Sequence, residues 1–288
     1  YNASAFGNVY VEYEPIKDLI IKSSIGGQYS GYAYKDYNYR YLGDSEPEAS
    51  NSFNEGSGYN FAYTFTNTAA YKYQFRKHGV KALVGMEALN TGAGRQISGS
   101  GINPFSMDLD FVTLSSVQSP VVNSGLYSGV NFYSLFSKLD YNFDEKYYLT
   151  GVVRRDGSSR FGPENRYGIF PAVSAAWRVT SEEFMKDLPA ISDLKIRGGW
   201  GIMGNSNNVD PANQFSLYAA NRGNSFYAID GQSSGANEGY YRSRIGNPAA
   251  KWETSETLNI GFDATLFNGK WEIVLDVWRK DTRDLLFN

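Results

Sequence analysis

Six charged residues sit at alternating positions within otherwise apolar stretches: Arg154, Lys195, Arg197, Asp263, Glu272 and Asp276. Side chains of both signs in such a setting can pair with one another or contact a polar ligand. A second charged run, Arg154-Arg155-Asp156-Gly157-Ser158-Ser159-Arg160-Phe161-Gly162, lies between two of the stretches. Arg155 and Arg160 flank its turn, within reach of Asp156 or of loop carbonyls. With Gly157 and Gly162 they read as organisers of a hairpin. Acid–base chemistry has little to use. The single histidine, His78, lies in the tight turn Arg76 to Gly79, with no carboxylate or serine cluster around it. Ser23-Ser24 and Ser158-Ser159 have no evident base. The absence of cysteine excludes thiol catalysis, disulfides and Cys-ligated metals. No metal-ligand spacing, phosphate loop or Gly-x-Ser-x-Gly elbow occurs, and no cofactor is expected.

Strands must hold these charges. The clearest runs from Tyr59 to Phe75, where Phe61, Tyr63, Phe65, Tyr71, Tyr73 and Phe75 alternate with Asn60, Thr64, Thr66, Thr68, Lys72 and Gln74. That is period-two alternation over about seventeen residues, far beyond an ordinary soluble strand. Similar segments are read at Ala3 to Glu14, Leu19 to about Tyr34, Val80 to about Thr91 and Leu126 to Phe143. Two more flank the charged run. In that hairpin, Asp156-Gly157 favours positive φ and Gly162-Pro163 punctuates the loop. Ser181 to Asp187 reads as a short helix capped by Thr180 or Ser181. The last three strands are Asp193 to Asn205, Trp252 to Phe267 and one from Trp271, the last two joined at Asn268-Gly269, the strongest short hairpin signal.

Composition admits two all-β classes. Hydrophobic residues are 42%, charged 20% and aromatic 16%, with 23 Tyr and 30 Gly. With a mean hydropathy of -0.43, this suits a soluble sandwich or propeller, or a transmembrane barrel with half-apolar strands and aromatic girdles. The net charge of -3 gives no case for nucleic acid. No apolar run is long enough for a transmembrane helix, and Tyr1-Asn-Ala-Ser-Ala lacks the features of a signal peptide.

Connection lengths separate the classes. Turns at Pro15 to Asp18, Arg76 to Gly79, Asp144 to Lys146 and Asn268-Gly269 are short. Lys35 to Gly58, Gly92 to Gly125 and Ser206 to Lys251 are long, three of the four connections that alternate with the short ones, the exception being Asp156 to Arg166. Outer-membrane barrels sort loops this way, short on the periplasmic side and long outside. The reading is an antiparallel transmembrane β-barrel, with Phe61, Tyr63, Phe65, Leu258, Ile260, Phe262, Ile273 and Leu275 toward lipid. Thr64, Thr66 and the six charged residues then face the lumen. There they form either an ion-pair lattice or substrate contacts. The loop tyrosines, Tyr32, Tyr34, Tyr37, Tyr39, Tyr41, Tyr218, Tyr227, Tyr240 and Tyr241, suit either girdle positions or contacts with a ligand or partner. The loop Ser206 to Lys251, about forty-five residues long, is expected to be ordered mainly by another surface, either a partner protein or neighbouring loops.

The wording of several segments is distinctive. The run Arg154 to Gly162 is followed by Phe170-Pro171-Ala172-Val173-Ser174 and Trp177-Arg178. Leu139-Asp-Tyr-Asn-Phe-Asp-Glu-Lys-Tyr147, Leu194-Lys-Ile-Arg-Gly-Gly-Trp-Gly201, Lys251-Trp-Glu-Thr254, Asn259-Ile-Gly-Phe-Asp263 and Asp281-Thr-Arg-Asp-Leu-Leu286 follow in order around it. Together they resemble the mid-barrel region of SusC-like TonB-dependent transporters of Bacteroidetes-type outer membranes. That resemblance implies a twenty-two-stranded barrel closed by a plug, of which residues 1–288 would supply about ten strands of a single barrel domain. It also implies energy supplied through TonB–ExbB–ExbD by a region outside these residues, a SusD-like surface lipoprotein as partner, and import of glycan oligomers or peptides. A barrel serving as a structural or secretion component is the alternative, and an enzyme is not expected.

Overall fold

The alternation read at Tyr59 to Phe75 forms the middle of a longer strand in the computed structural model, which describes residues 1–40, 50–106, 108–207, 209–211, 213–220, 225–228, 231, 236–237 and 239–285. The strands in chain order are β1 (Asn2–Ile16), β2 (Leu19–Asn38), β3 (Ser52–Phe75), β4 (His78–Ile102), β5 (Gln118–Ser128), β6 (Asn131–Phe143), β7 (Tyr147–Ser158), β8 (Tyr167–Arg178), β9 (Ile191–Asn205), β10 (Leu217–Ala219), β11 (Tyr227–Ala228), β12 (Ala236–Asn237), β13 (Tyr241–Arg244), β14 (Glu253–Leu266) and β15 (Trp271–Arg283). The main sheet runs β1-β2-β3-β4-β6-β7-β8-β9-β14-β15, with β5 attached to β4. Its registers from β6 to β15 are antiparallel throughout. No α-helix occurs among the described residues.

Three expectations change. The stretch Gly92 to Gly125 is largely sheet, because β4 continues to Ile102 and pairs with β5 from Ala93↔Ser128 to Ile102↔Gln118. Its alternation is built from Gly94, Gln96, Ser98 and Ser100, which leave no apolar face to see, although strand pairing needs only backbone groups. Second, the strand expected from Leu126 to Phe143 is two strands, β5 and β6. The chain breaks where the Gly129 N–H donates to the Gly92 carbonyl at 2.7 Å. A Cβ at Gly129 would lie 2.1 Å from that oxygen, so only glycine permits the approach. Third, the expected helix is two 3-10 turns, Val179–Ser181 and Glu183–Met185, neither with a side-chain cap. The Thr180 hydroxyl instead bonds Asp193 Oδ1 at 2.8 Å.

Two compact units are distinguishable. The first comprises Tyr1–Val11, Ser23–Thr66 and Ala88–Asn131. In it, Lys35 Nζ donates to the carbonyls of Leu109 and Val112, and the Leu114 N–H donates to Glu55. Phe53 and Val112 are fully buried. Tyr32, Tyr34 and Tyr37, read as loop residues, belong to β2. Tyr32 stacks on Tyr34 and touches the Tyr127 hydroxyl. Tyr41 lies outside the described residues.

The second unit comprises Glu12–Lys22, Asn67–Glu87 and Phe132–Asn288. Its short turns line one rim, each joined to the next element by a backbone hydrogen bond. The carbonyls of Asp18, Lys77, Lys146 and Ala190 accept from Lys72, Asp144, Arg178 and Phe267. The turn at Asn268-Gly269 spans four residues between strands, with Phe267, Asn268 and Gly269 all at positive φ.

Cross-strand rows define two unlike faces in this unit. One row reads Asp140, Thr150, Ser174, Gly199, Asn259 and Trp278. The adjacent row on the opposite face reads Tyr141, Leu149, Ala175, Gly198, Ile260 and Val277. On that face Leu149, Ile260 and Val277 are 50%, 58% and 68% exposed. A continuous, bare apolar face of this kind marks contact with a protein or a membrane.

Candidate functional site on the polar face

Alternation carries Lys195 and Arg197 on β9 to the same face as Asp263 on β14 and Asp276 on β15. Arg197 Nε lies 3.1 and 3.2 Å from the two Asp263 oxygens. Its Nη1 and Nη2 meet Asp276 Oδ1 and Oδ2 at 2.6 and 2.8 Å. One guanidinium therefore saturates two carboxylates across three strands, the fork geometry that arginine is suited to. Lys195 Nζ sits 5.6 Å from the centroid of the Tyr148 ring. Glu272 shares this face by register and forms no ion pair among the described residues.

Arg154 belongs to a separate cluster. Its Nε donates to Asp156 at 2.6 Å, and its Nη2 reaches Glu87 at 3.2 Å and the hydroxyl of buried Ser134 at 2.9 Å. The structure thus joins Arg197 with Asp263 and Asp276 but keeps Arg154 apart. Sequence reading missed Glu87 and Ser134. Their strands alternate correctly, but only the register shows that they flank Arg154. Between the clusters the polar face dips into a groove of about 600 Å³, lined among others by Tyr148, Thr150, Ser174, Lys195, Gly199 and Asn259.

The hairpin run behaves differently from its sequence reading. Asp156 and Gly157 stay in strand and neither takes positive φ. A Cβ at Gly157 would lie 2.4 Å from the Tyr167 ring, so a larger residue there would have to displace that ring. Arg155 does not bond Asp156. Residues two apart share a face, so Arg154 takes that partner and Arg155 points to the other side, 3.7 Å from the Tyr167 ring centroid. Arg160 does reach a loop carbonyl, that of Val209, which belongs to the long loop rather than to the hairpin.

Further contacts make this turn a clasp. Gln214 donates to the Ser159 carbonyl at 3.1 Å, Asn165 to the Ala249 carbonyl at 3.2 Å and Trp252 Nε1 to the Arg166 carbonyl at 3.3 Å. Phe161, Phe170, Val209, Ala250 and Trp252 form a buried cluster beneath them. A Cβ on Gly162 would lie 2.5 Å from the Pro248 carbonyl oxygen. Both ends of the loop Ser206 to Lys251 are therefore ordered by a neighbouring loop. Within it, β10 pairs with β13 and β11 with β12. Arg222, Ile229 and Ser234 lie outside the described residues.

His78 Nδ1 lies 2.8 Å from the Tyr141 hydroxyl. No group of three metal-ligating side chains occurs among the described residues. No helix among them is long and apolar enough to cross a membrane, which says nothing of crossing by strands.

Comparison with known proteins gives these faces a context. The chain is 28% identical to the TonB-dependent receptor SusC of Bacteroides thetaiotaomicron over 97% of its length and 27% of the receptor's. It is 30% identical to the TonB-dependent receptor P26 of Formosa agariphila over 98% of its length and 28% of that protein's. Among solved structures, the RagAB peptide transporter matches with a TM-score of 0.83 at 28% identity, covering 99% of this chain and 30% of that one. The RagAB peptide importer in its closed-closed state matches with a TM-score of 0.81 at 28% identity, over 98% of this chain and 30% of that one. The chain thus spans between about a quarter and a third of the proteins it matches. The family model described as "TonB dependent receptor-like, beta-barrel" matches residues 3–288. This antiparallel chain, apolar on one face and ion-paired on the other, belongs to that family of outer-membrane barrels.

Proposed function

We propose that residues 1–288 form part of the barrel wall of an outer-membrane transporter that imports nutrient oligomers, glycans or peptides, by a TonB-dependent route. In this reading the apolar face meets lipid and the polar face lines the lumen. The observation that carries it is the contrast between rows. Leu149, Ile260 and Val277 lie bare on one face, while Arg154 and Arg197 on the other are saturated by carboxylates. A charge turned to lipid at mid-bilayer costs about 2–4 kcal/mol, so a wall with these two faces favours a water-filled interior. The SusC and RagAB matches favour import with a SusD-like lipoprotein as partner, with the energising complex acting through a region outside these residues.

The test uses the full-length protein. Cells lacking its gene are complemented with it and supplied with oligopeptides or glycan oligomers as sole nutrient. Growth should return only with an intact TonB gene. Uptake that continues without TonB would refute the reading. A barrel that assembles yet supports uptake of neither class would favour a structural role.

A further inference from the structure

The first compact unit carries an aromatic group on the face turned away from its apolar row. Tyr29 stacks with Tyr59 at 6.5 Å, and a Cβ at Gly27 would lie 3.5 Å from the Phe61 ring. The odd-numbered members of this part of β2 therefore share the side of Phe61. Side chains alternate along a strand, so Tyr32 and Tyr34 take the opposite side. Their ring centroids are 6.3 Å apart and their planes within 15° of parallel. Both rings lean across β3, where a Cβ at Gly56 would lie 2.6 Å from the Tyr34 ring and one at Gly58 2.9 Å from the Tyr32 ring. Tyr34, on a strand inside the sheet, is 45% exposed. The Tyr32 hydroxyl donates to Gln96 Oε1 at 3.3 Å and lies 3.4 Å from the Tyr127 hydroxyl. A phenol has one proton, so Tyr127 is the donor in the second contact. Hydrogen bonds thus run from Tyr127 to Tyr32 to Gln96. They leave the Gln96 Nε2 amide and the Tyr34 hydroxyl unbonded among the described residues. Asp36, exposed, follows on this face by alternation.

We propose that Tyr34, Tyr127 and Gln96 form a subsite for a pyranose ring of a neutral glycan oligomer. The proposal rests on the reading of the polar face as lumen-lining, and it deepens that reading by choosing between glycan and peptide. Chemistry selects the occupant. A pyranose ring has a face of C–H groups and a rim of hydroxyls. Its C–H face packs on the tyrosine rings, which supply apolar area in fixed planes. Its rim accepts from the Gln96 amide and exchanges hydrogen bonds with the Tyr34 hydroxyl. Asp36 accepts from further hydroxyls and repels an anionic chain. No cation among the described residues bonds to this network, so nothing in it holds a peptide's carboxylate. Lys35, the nearest cation in sequence, is turned to the other side, where it donates to the carbonyls of Leu109 and Val112.

The full-length protein, purified in detergent, is titrated by calorimetry with maltohexaose, cellohexaose, mannohexaose and xylohexaose. Hexagalacturonate and hexapeptides blocked at both ends serve as the charged and peptide probes. Wild type should bind at least one neutral hexaose, and bind it more tightly than hexagalacturonate. Y34A and Y127A should each weaken that binding at least about five-fold, with Y34F falling less than Y34A because it keeps the ring. Heat-modified gel mobility shows that the variants assemble. Absence of binding by every neutral hexaose, or unchanged affinity in both alanine variants, overturns the proposal. So does hexagalacturonate binding as tight as that of the neutral hexaoses. Peptide binding that Y34A and Y127A abolish, with the hexaoses unbound, assigns the face to peptide and overturns it too. Uptake that persists without TonB would refute the import reading while leaving hexaose binding in place, whereas TonB-dependent uptake without hexaose binding overturns this proposal alone.

Discussion

Arg197 on β9 holds Asp276 on β15 across the full width of β14, at 2.6 and 2.8 Å. The β14 residue in that row is Gly261. A Cβ there would lie 2.6 Å from Asp276 Oδ1. The glycine is therefore the gap through which two strands that are not neighbours exchange charge. G261A should destabilise the assembled barrel by about 1–3 kcal/mol, as overpacking does. D276A should cost less on top of G261A than alone, because the methyl has already displaced the carboxylate. Heat-modified gel mobility of the full-length protein reads both, and strictly additive losses would contradict the account.

The clasp on the long loop should fail from its core outward. Phe161 is fully buried against Trp252, with ring centroids 5.0 Å apart. F161A should cost about 3–5 kcal/mol locally, whereas R160A, which removes one hydrogen bond to the Val209 carbonyl, should cost about 0.5–1.5 kcal/mol. Limited proteolysis between residues 213 and 247 should rise strongly in F161A and modestly in R160A, with strands β6 to β9 still protected. Unchanged cleavage in F161A would show that something other than the clasp orders the loop.

Most of the barrel wall was legible because one face must be apolar. The alternation in β3, β9, β14 and β15 fixes which side Phe61, Ile260 and Asp276 take, and no tertiary information is needed for that. Where both faces are polar the signal vanishes, and β4 beyond Thr91 was read as loop for that reason. The charged set was legible as a set but not as pairs. Arg197 with Asp263 and Asp276 required the register of three strands, and Arg154 with Glu87 joined strands far apart in sequence. The hairpin run was recognisable as wording while its mechanics were not. Asp156-Gly157 looks like a turn, yet its glycine answers to the Tyr167 ring and its turn grips Val209, Ala249 and Trp252, about fifty to ninety residues on.

Acidification should loosen the short-turn rim through Glu182. The Tyr147 hydroxyl donates to it at 2.6 Å, Trp177 Nε1 at 3.2 Å and Lys146 Nζ at 3.3 Å. These bonds, Tyr147 first, hold its carboxyl below the usual carboxylate range. A group depressed in the folded state contributes stability that is fully present above its unfolded value, about pH 4.3. The contribution is lost as pH falls through the lower folded value. E182Q should therefore be less stable than wild type at neutral pH, and the gap should close on acidification. Urea unfolding of the full-length barrel along a pH series provides the comparison, and a gap that widens toward acid would reverse the sign of the argument.

Sidedness follows from the rim of short turns. Asp18, Lys77, Lys146 and Ala190 are chained to their neighbours by backbone hydrogen bonds, so those turns share one end of the sheet. The turn at Asn268 joins them, since its N–H donates to Ser192 Oγ at 2.9 Å. The clasped loop leaves from the opposite ends of β9 and β14, where Tyr240 is 72% exposed. The chain contains no cysteine, so single cysteines introduced into a cysteine-free full-length parent report position cleanly. In intact cells a membrane-impermeant maleimide should label Y240C and leave N268C untouched, and N268C should react only after the outer membrane is permeabilised. Both positions lie outside the strands, so neither substitution should disturb assembly, which heat-modified mobility checks independently. Labelling of N268C in intact cells with Y240C silent would invert the barrel.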